Sequence, residues 1–525
     1  MPKPDVSDHV VVGSGINSLV AAAMLAGKGD TVSLLEREDR LGGCMFTDEI
    51  TLPGYKHDVM AATFVLFLTS PAFAELGDDL SRHGLEFCHT PHPTAVLRRD
   101  GSRLVFSMDR KANAASFDAI CQGDGIRYLA DMGELESNAE FLFSVLGGEI
   151  RSAKGWRGFA KEAFRRSVKG LSAWAGNSLV PARGWLETTY SSELVQALWA
   201  PWVLHAGLTP ESTFSGQMGK VIAFALEAAG APVARGGAGS AVRAFKSLIT
   251  ERGGKIFTGA DVESVRVKRG RATGVETVCG KEFNASKSVI CSLAPGQLYG
   301  RLLKGHSFNE HAMASAFRHG RGNFQLHYAL DAHPEWKADG LRKVALIHLA
   351  DSIDSVSKSS NEAERGMLPE TPTICVGQPH SLDASRCPEG KAVLWVQVPD
   401  APRIIKGDSA GQIETEAMWT AETKEAFADR IEMLLSDHII DFRGIALARR
   451  AYSPADLESL NVNLVGGDPY GGSCTVDQSL FWRPFSNSSE ATTPVRKLFH
   501  IGSSTHPGPG LSGGSGYNLA KRLGA

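Results

Sequence analysis

Residues 9–44 read HVVVGSGINSLVAAAMLAGKGDTVSLLEREDRLGGC, and this stretch decides the predicted fold. Three consecutive valines end at Gly13, which is typical of a short buried parallel strand. Residues 19–26 are rich in alanine and leucine and predict a helix, and residues 31–35 predict a second strand. Together these segments predict a strand–helix–strand unit with a glycine turn after its first strand.

The glycine turn and the acidic residue after the second strand predict a dinucleotide site. Gly13, Ser14 and Gly15 leave room for a phosphate group to approach the backbone, and the helix that follows directs its N-terminal amides towards a pyrophosphate. Glu36 ends the second strand about 20 residues after Gly15, where an acidic side chain binds the ribose hydroxyls of an adenosine. Ser18 replaces the third glycine of the usual motif, and its small side chain still allows close helix–strand packing.

The segment that follows Glu36 favours FAD over a nicotinamide dinucleotide. It reads Arg40-Leu-Gly42-Gly43. A nicotinamide-binding unit has no need of this second glycine pair, whereas in FAD enzymes of the glutathione-reductase type it lets another backbone segment approach the pyrophosphate. We therefore predict an α/β protein with a Rossmann-like FAD-binding domain. The alternative at this point is a strand–helix–strand unit whose glycines only make turns.

The composition excludes several classes of protein. Of the 525 residues, 43% are hydrophobic and 22% are charged, which is ordinary for a soluble globular protein with more than one core. The formal net charge of −3 gives no basic field for nucleic acid. Eight scattered cysteines without a C-x-x-C pair argue against a zinc site, a redox dithiol and a disulfide framework, so we expect no metal and a reducing, cytoplasmic setting. We expect no cleaved leader and no membrane-spanning segment.

The order of the predicted elements indicates two interleaved domains. A long helical region follows the first strands, a glycine-rich segment at residues 236–239 returns the chain to the nucleotide domain, and a mixed segment of strands and helices comes next. The expected FAD-binding parts are residues 1–107, 231–300 and 461–525. The expected discontinuous α+β substrate domain comprises residues 108–230, which are helical, and residues 301–460, which form a sheet plus helices.

Residues 151–170 read RSAKGWRGFAKEAFRRSVKG and predict a basic amphipathic helix, with seven lysines and arginines against one glutamate. Such a helix can lie on an anionic membrane surface, so residues 151–169 are a candidate for peripheral membrane contact. The alternative is a solvated helix that packs on its own domain.

Residues 498–514 read LFHIGSSTHPGPGLSGG and predict a strand, a glycine-rich turn and the start of a final helix. A turn of this kind brings backbone amides and a helix N-terminus close to a flat acceptor such as the N1–C2=O edge of a flavin. There the amides stabilise the negative charge of the reduced ring.

With these motifs the chain resembles the phytoene-desaturase-like flavoproteins, within the larger amine-oxidase and glutathione-reductase superfamily. The matching segments, in order, are VVVGSGINSLVAAAMLA with Glu36 and RLGG, GGAGSAVRAF with TGADVESV, DPYGGSCTVDQSLFWRP, and LFHIGSSTHPGPGLSGGSGYNLA. They span nearly the whole chain. Asn17 and the late THPG motif look especially similar to the branch that includes mitochondrial pyridine-nucleotide-disulphide-oxidoreductase-like proteins.

The resemblance implies which residues bind FAD: an acidic residue at the ribose, a glycine pair at the pyrophosphate, a backbone contact to the adenine and a turn beside the flavin. The expected set is Gly13, Ser14, Gly15, Asn17, Ser18, Glu36, Arg37, Arg40, Gly42, Gly43, Val262, Gly502, Ser503, Gly510, Leu511 and Ser512. Many carotenoid desaturases and amine oxidases place arginine directly after the glycine pair, where this chain has Cys44. We expect Cys44 to be a small buried residue, and the alternative is covalent attachment of the flavin.

The predicted reaction is the dehydrogenation of C–C bonds in an apolar or alicyclic substrate, with hydride passing to flavin N5 and with oxygen or a quinone as electron acceptor. His506, His57 and His205 are the candidates for acid/base chemistry or substrate contact. Each also has a structural alternative: His506 fixes the turn, His57 bonds within its loop, and His205 fills the core. The alternative functions are a flavin oxidase acting on an amine or alcohol carbon, a redox-neutral isomerase and, from another class, an FAD-bound interaction or regulatory protein with little turnover.

Overall fold

A computed structural model describes residues 5–488 and 490–525 of the chain. Its first sheet contains five parallel strands and one antiparallel hairpin, which confirms the predicted α/β fold. The hairpin consists of Val262–Lys268 and Arg271–Thr277 and pairs with the beginning of the longest strand. The parallel strands, in spatial order, are Lys255–Phe257, Val32–Leu35, Asp5–Val12, Glu282–Ser292 and Leu498–Ile501.

The helix Ile16–Gly27 crosses between the first two strands of the chain, and every residue from Ile16 to Ala26 is buried. Two further helices, Gly239–Glu251 and Gly514–Arg522, pack against it. The alanine side chains of this predicted helix are small, so the neighbouring helices can approach closely. A helix that is buried on all sides is expected to be largely apolar all round.

The second sheet also has seven strands. Its neighbouring strands are antiparallel, except that Leu346–Leu349 runs parallel to Thr94–Leu97. In spatial order the strands are Ala446–Tyr452, Gly322–Leu330, Ala392–Ala401, Ile374–Gly377, Leu346–Leu349, Thr94–Leu97 and Arg103–Phe106.

The hairpin formed by Thr94–Leu97 and Arg103–Phe106 lies in this second sheet, although the sequence analysis assigns residues 1–107 to the FAD-binding domain. Its placement depends on pairing with residues some 250 positions later in the chain, such as Arg99 N with the Asp351 carboxylate (separation 252). Local pattern does not contain this information. The predicted division of the chain into five domain segments, with its boundaries, stays a prediction.

The region predicted to be helical, residues 108–230, is helical, and the other helices flank the sheets. Its helices are Arg110–Ile120, Asp124–Gly147, Ala153–Ser178, Ala182–Thr189, Glu193–Trp199, the short 3₁₀ helix Ala200–Ala206, and Ser215–Ala229. The remaining α-helices are Val65–Leu68, Pro71–Arg82, Asn309–Ser315, Ile353–Glu364, Pro379–Leu382, Ala421–His438, Phe442–Ile445 and Pro454–Leu460. Short strand pairs are Thr47–Asp48 with His57–Asp58, Phe87–Cys88 with Val233–Ala234, and Met367–Leu368 with Gly407–Asp408.

The two faces of the second sheet are covered differently. Phe427, Ile431 and Leu435 of the helix Ala421–His438 pack on one face, together with apolar side chains of the central strands. The other face meets Trp199, Trp202 and further side chains of the helical region. Among the described helices, none is both long enough and apolar enough to cross a bilayer.

Candidate functional site

A cavity of about 1820 Å³ is lined by residues from both sheets and from the helical region. One end contains the glycine turn after the first strand, and the other end lies between the helix Ser215–Ala229 and the second sheet. The two ends are called the cofactor cleft and the substrate end below. Because the two ends belong to one cavity, no protein wall separates a molecule in the substrate end from a ligand of the cofactor cleft.

The glycine turn leaves space that any side chain would fill. Gly13 has a φ of +86°, a conformation that favours glycine. A Cβ at Gly15 would meet none of the described atoms considered within 4 Å, and Gly15 lines the cavity, so its bare backbone borders open space. A Cβ at Gly43 would come within 3.3 Å of the Gly15 Cα, so the two glycine segments lie against each other. This arrangement fits a dinucleotide pyrophosphate.

Ser14 and Glu36 connect the segments of the cofactor cleft. The Glu36 Oε2 accepts hydrogen bonds from the Ser14 backbone N–H (3.0 Å) and the Ser14 hydroxyl (2.5 Å), and Oε1 accepts from the Glu38 N–H (3.0 Å). The Ser14 hydroxyl in turn accepts from the Gly42 N–H at 2.9 Å. The carboxylate, which also lines the cavity, is therefore fixed in orientation by the chain itself.

Most of the other predicted cofactor residues also line this cleft. Arg37, Arg40, Asn17 and Val262 do so, and the Arg40 guanidinium lies 3.7 Å from the centre of the Phe46 ring. Ser18 is the exception among the predicted set. It is fully buried in the helix and does not line the cavity, which agrees with its being a small residue for helix packing.

The C-terminal turn forms part of the same cavity wall through Gly502, Ser503, Gly510, Leu511 and Ser512. Gly510 has a φ of +106°, and a Cβ there would collide with the Leu66 side chain.

Arg483, which the sequence analysis missed, donates hydrogen bonds from Nε (3.0 Å) and Nη2 (2.8 Å) to the Ser503 carbonyl. It also donates to the carbonyls of Tyr470 and Ser473. This buried guanidinium holds the loop before the C-terminal strand against the turn.

Cys44 lines the cavity beside Gly43. Burial raises the pKa of its thiol to about 11, and the Asn461 amide lies 3.6 Å from the sulfur. The thiol is therefore protonated at neutral pH, which disfavours nucleophilic chemistry.

Of the three candidate histidines, His205 is the one that lines the cavity. Its Nε2 lies 2.9 Å from Nε2 of His348, the distance of a direct hydrogen bond between the rings, and both rings pack against Trp202. Burial lowers the pKa of His205 to about 4, so the ring is neutral at pH 7. Cys375 completes a group whose nitrogen and sulfur atoms all lie within 4.8 Å of one another.

His57 and His506 are not among the residues that line the cavity. His57 Nε2 bonds to the Thr51 hydroxyl at 2.7 Å, and burial lowers its pKa to about 3. His506 donates from Nε2 to the Gly148 carbonyl at 2.8 Å, and burial lowers its pKa to about 4. The structure therefore does not bring the three predicted histidines together, and His506 connects the C-terminal turn to the end of a helix.

The substrate end has an aromatic and aliphatic wall and a partly polar floor, which the sequence analysis missed. The wall includes Trp202, Met218, Val221, Ile222 and Phe224, and the floor includes Leu346, Trp395, Asn323, Gln325 and Gln397 from the second sheet. The sequence of the strand Gly322–Leu330, GNFQLHYAL, contains the signal for this floor because polar side chains alternate with apolar ones.

Residues 19–429 match the family model of flavin-containing amine oxidoreductases. The chain belongs to this family. The match confirms FAD as the cofactor class that the glycine motifs predict, and the protein is an FAD-dependent oxidoreductase.

Three curated relatives align with this flavoenzyme over nearly its full length, which confirms the predicted resemblance. Pyridine nucleotide-disulfide oxidoreductase domain-containing protein 2 of Mus musculus is 25% identical and aligns over 99% of this chain and 93% of its own. A limonene dehydrogenase polypeptide of Castellaniella defragrans is 24% identical and aligns over 98% of this chain and 94% of its own. A zeta-carotene-forming phytoene desaturase of Myxococcus xanthus is 24% identical and aligns over 96% of this chain and 90% of its own.

Solved structures share the fold of the flavoenzyme. An oxidoreductase from Methanosarcina mazei, 15% identical, superposes with a TM-score of 0.61 and covers 98% of this chain and 99% of its own. A triple mutant of putrescine oxidase, also 15% identical, has a TM-score of 0.60 and covers 99% and 98%. At these identities the likeness concerns the fold alone.

Proposed function

We propose that the enzyme dehydrogenates a C–C bond of an apolar or alicyclic substrate that is held in the substrate end of the cavity. The observation that carries this proposal is an aromatic and aliphatic pocket that is continuous with the cofactor cleft. Bound FAD supplies the hydride acceptor. The chain supplies orientation and exclusion of water, because burying apolar substrate surface against these side chains is favourable without any charged partner.

The cofactor cleft residues have distinct roles in this proposal. Gly13, Gly15, Gly42 and Gly43 give the pyrophosphate access to backbone amides, with Ser14 and Asn17 beside them. Glu36 accepts hydrogen bonds from the adenosine ribose, and Val262 contacts the adenine with its backbone. Arg37 and Arg40 lie along the cleft, and Gly502, Ser503, Gly510, Leu511 and Ser512 border the flavin.

His205 is the proposed acid/base residue. The neutral ring lines the cavity, and in the tautomer whose Nε2–H donates to Nε2 of His348 its Nδ1 is free to take up a proton. His348 is a positioning residue, because its contact at Nε2 fixes the orientation of the His205 ring. His57 and His506 have bonded partners elsewhere, which favours structural roles for both.

The alternative functions differ in what the pocket must bind. An amine substrate is an ammonium ion at neutral pH, and a buried ammonium ion calls for a carboxylate partner, whereas the side chains named above for the wall and floor of the substrate end carry none. An alcohol substrate calls for a base such as His205. A redox-neutral isomerase would use the same pocket without net transfer of electrons to an acceptor, and an interaction protein would not reduce its flavin with any small molecule.

The test is an anaerobic screen of the FAD-loaded enzyme with alicyclic hydrocarbons, alicyclic ketones, secondary alcohols and primary amines, following the visible absorbance of the flavin. We expect bleaching by alicyclic compounds and identification of an alkene product. Ala225→Phe, which fills the cavity from the helix Ser215–Ala229, should abolish bleaching without loss of FAD, and Ala225→Ser is the matched control. Bleaching by amines alone would refute the proposal.

We propose oxygen or a quinone as the final electron acceptor, because the reduced flavin must be reoxidised for turnover. Mixing the substrate-reduced enzyme with air-saturated buffer or with a soluble quinone separates the two. The acceptor that restores the flavin absorbance within one turnover time is the physiological class. Failure of both acceptors would contradict this part of the proposal.

We also propose that the helix Ala153–Ser178 docks on an anionic membrane surface. Trp156, Phe164 and Val168 are exposed, with Phe164 at 94%, among the lysines and arginines of this segment. Lys154, Gly155 and Gly158 line the cavity, so the helix lies at one border of it. Glu140 pairs with Lys161, and Glu162 pairs with Arg165 and Arg166, so the exposed apolar side chains and the remaining cations are what favours an interface of acidic lipids.

Sedimentation with vesicles that contain acidic lipids tests this docking. Binding should weaken as salt rises, and Phe164→Ser should reduce binding without affecting FAD retention. The control is Leu447→Ser, an exposed apolar residue of the strand Ala446–Tyr452 far along the chain. Absence of vesicle binding at low salt would support the solvated helix instead.

A further inference from the structure

Three side-chain amides form the polar part of the floor in the substrate end. Asn323 and Gln325 lie two positions apart on the strand Gly322–Leu330, whose register with the neighbouring strand is irregular between Gly322 and Phe324. Gln397 stands directly opposite Gln325 on the neighbouring antiparallel strand. All three line the cavity, and they are called the amide floor below.

The amide floor has no side-chain hydrogen-bond partners among the described residues, although its side chains are almost completely buried. Asn323 is 2% exposed, Gln325 3% and Gln397 8%. The Asn323 Oδ1 and Gln325 Oε1 are buried without a partner. Buried amides are normally hydrogen-bonded, so two unpartnered amide oxygens beside one cavity, with the Gln397 amide opposite them, indicate a ligand that supplies the missing bonds.

The chemistry around the amide floor indicates that this ligand group is uncharged. Arg483 lines the cavity but donates to backbone carbonyls, including that of Ser503. Arg321, beside Asn323 in sequence, is paired with Asp400 and Glu364 and donates to the Leu208 carbonyl. The Arg321 charge is neutralised by its two carboxylate partners, and the Arg483 donors are occupied by backbone carbonyls, so neither side chain is free to pair with a charged group on the floor.

We infer that the amide floor binds an uncharged oxygen-bearing group of the substrate, a carbonyl or a hydroxyl. This inference rests on the proposed dehydrogenation and narrows its substrate to an oxygenated alicyclic compound rather than a pure hydrocarbon. An amide offers both N–H donors and a carbonyl acceptor, so the floor matches either oxygen group by turning the appropriate end of each side chain towards it.

The strand geometry allows the amides to act on one oxygen atom. Directly opposed residues of an antiparallel pair have Cβ atoms roughly 5 Å apart, so Gln325 and Gln397 can both reach a single atom above the sheet. Asn323 lies two residues along the strand, roughly 7 Å away, and can contact the adjoining part of the substrate. An enzyme for hydrocarbons would gain affinity from leucine or valine at these positions.

The experiment measures binding rather than turnover. Calorimetric titration of the FAD-loaded protein compares decalone and decalol with methylenedecalin, which has a similar shape but lacks the oxygen. We expect the better oxygenated ligand to bind at least roughly tenfold more tightly than methylenedecalin, a factor within the range of hydrogen bonds to a desolvated site. Gln325→Leu should remove this preference and leave the affinity for methylenedecalin unchanged or higher.

Two further variants distinguish an effect of the amide floor from a general effect of substitution on folding. Gln397→Met, on the neighbouring strand, should also reduce the preference, and Gln412→Leu, an exposed glutamine outside the cavity, should retain it. Equal affinity for the three compounds, no binding of the oxygenated pair, or a preference that survives both floor variants would overturn the inference.

The outcome also separates this inference from the proposed reaction. If decalone or decalol binds through the floor but no alicyclic compound bleaches the flavin, the dehydrogenation is refuted and the amide floor stands. If methylenedecalin bleaches the flavin and the oxygenated compounds show no binding advantage, the dehydrogenation stands and the amide floor is refuted.

Discussion

The Glu36 carboxylate accepts three hydrogen bonds from the chain itself, from both polar groups of Ser14 and from the Glu38 backbone. Its proposed bonds to the ribose of FAD come in addition. We expect Glu36→Ala to weaken FAD binding by roughly 1.5–3 kcal/mol, because hydrogen bonds to a charged acceptor are lost. Equilibrium dialysis of the apoprotein against FAD measures the change.

Glu36→Gln and Glu263→Ala control for other effects of the Glu36 substitution. Gln keeps the shape and one acceptor, so its loss of affinity should be smaller than that of Ala. Glu263 is an exposed carboxylate on the hairpin strand Val262–Lys268, next to the predicted adenine contact but outside the cavity lining, and its removal should leave FAD binding unchanged. Full FAD affinity in Glu36→Ala would contradict the assignment of Glu36 to the ribose.

His205 and His506 are both buried histidines with lowered pKa values, but only His205 lines the substrate end. We expect His205→Ala to slow flavin reduction by substrate roughly 10²-fold or more while FAD remains bound. His506→Ala should instead lower FAD occupancy, because it removes the bond that connects the C-terminal turn to Gly148. Stopped-flow reduction and FAD content measure the two effects. The reverse outcome would move the acid/base role to His506.

At the scale of elements, the sequence predicts segments well where periodicity and glycine turns determine them. The helix predicted at residues 19–26 is Ile16–Gly27, the strand predicted at residues 31–35 is Val32–Leu35, and the final helix is Gly514–Arg522. In each case a local pattern and its turn residues are sufficient. The membership of the hairpin Thr94–Leu97 and Arg103–Phe106 in the second sheet is not local, and no such pattern specifies it.

The candidate site also has one part that local sequence patterns predict and another that depends on long-range contacts. The cofactor cleft is contained in a few contiguous motifs, so all of its predicted residues except Ser18 line the cavity. The substrate end combines side chains from distant strands and helices. His506 bonds to a carbonyl 358 positions earlier in the chain, and such long-range contacts decide whether a histidine borders the cavity or lies behind it.

The helix Pro454–Leu460 supports the cavity wall with Leu457, Leu460 and the Asn461 that follows it. Its first turn has a capping box, in which the Ser453 hydroxyl accepts from the Asp456 N–H and the Asp456 carboxylate accepts from the Ser453 N–H. Ser453→Ala should destabilise this helix by about 1 kcal/mol. Hydrogen exchange of its amides should then be roughly fivefold faster.

Ser459→Ala is the matched control for the cap, because the Ser459 hydroxyl only donates to the Ala455 carbonyl within the same helix. Its effect on exchange should be small. Exchange that is as slow in Ser453→Ala as in the parent protein would mean that tertiary packing, and not the cap, fixes this part of the cavity wall.

At the scale of the whole molecule, buried histidines make the fold sensitive to acid. Burial lowers the pKa to about 3 in His57 and to about 4 in four others: His205, His380, His500 and His506. The unfolded chain takes up these protons at the ordinary histidine pKa of about 6.5. The stabilising effect of the neutral rings is therefore complete above about pH 6.5 and is lost as the pH falls towards 4.

Asp400 opposes this trend, because burial raises its pKa to about 6 and the folded state then gains stability as the pH falls. The pKa of Glu149 is also raised by burial, but these two carboxyl groups stand against five histidines, so the net effect remains a loss of stability in acid. Each histidine contributes a slope of up to about 1.4 kcal/mol per pH unit in this window. We expect the thermal unfolding temperature of the FAD-loaded protein to fall steeply between about pH 6.5 and about pH 4.5.

His500→Gln tests the origin of this acid sensitivity. His500 is fully buried away from the cavity and bonds through Nε2 to the Leu293 carbonyl at 2.8 Å, a bond that a glutamine N–H can replace. Removing one titrating ring should make the pH dependence of the unfolding temperature shallower, while stability near pH 7 changes less than stability near pH 5. An unfolding temperature that is constant from about pH 7 to about pH 5 in the parent protein would show that these rings do not resist protonation. In that case the conclusion that the His205 ring is neutral at pH 7 would also be wrong, because it depends on the same effect of burial on the pKa.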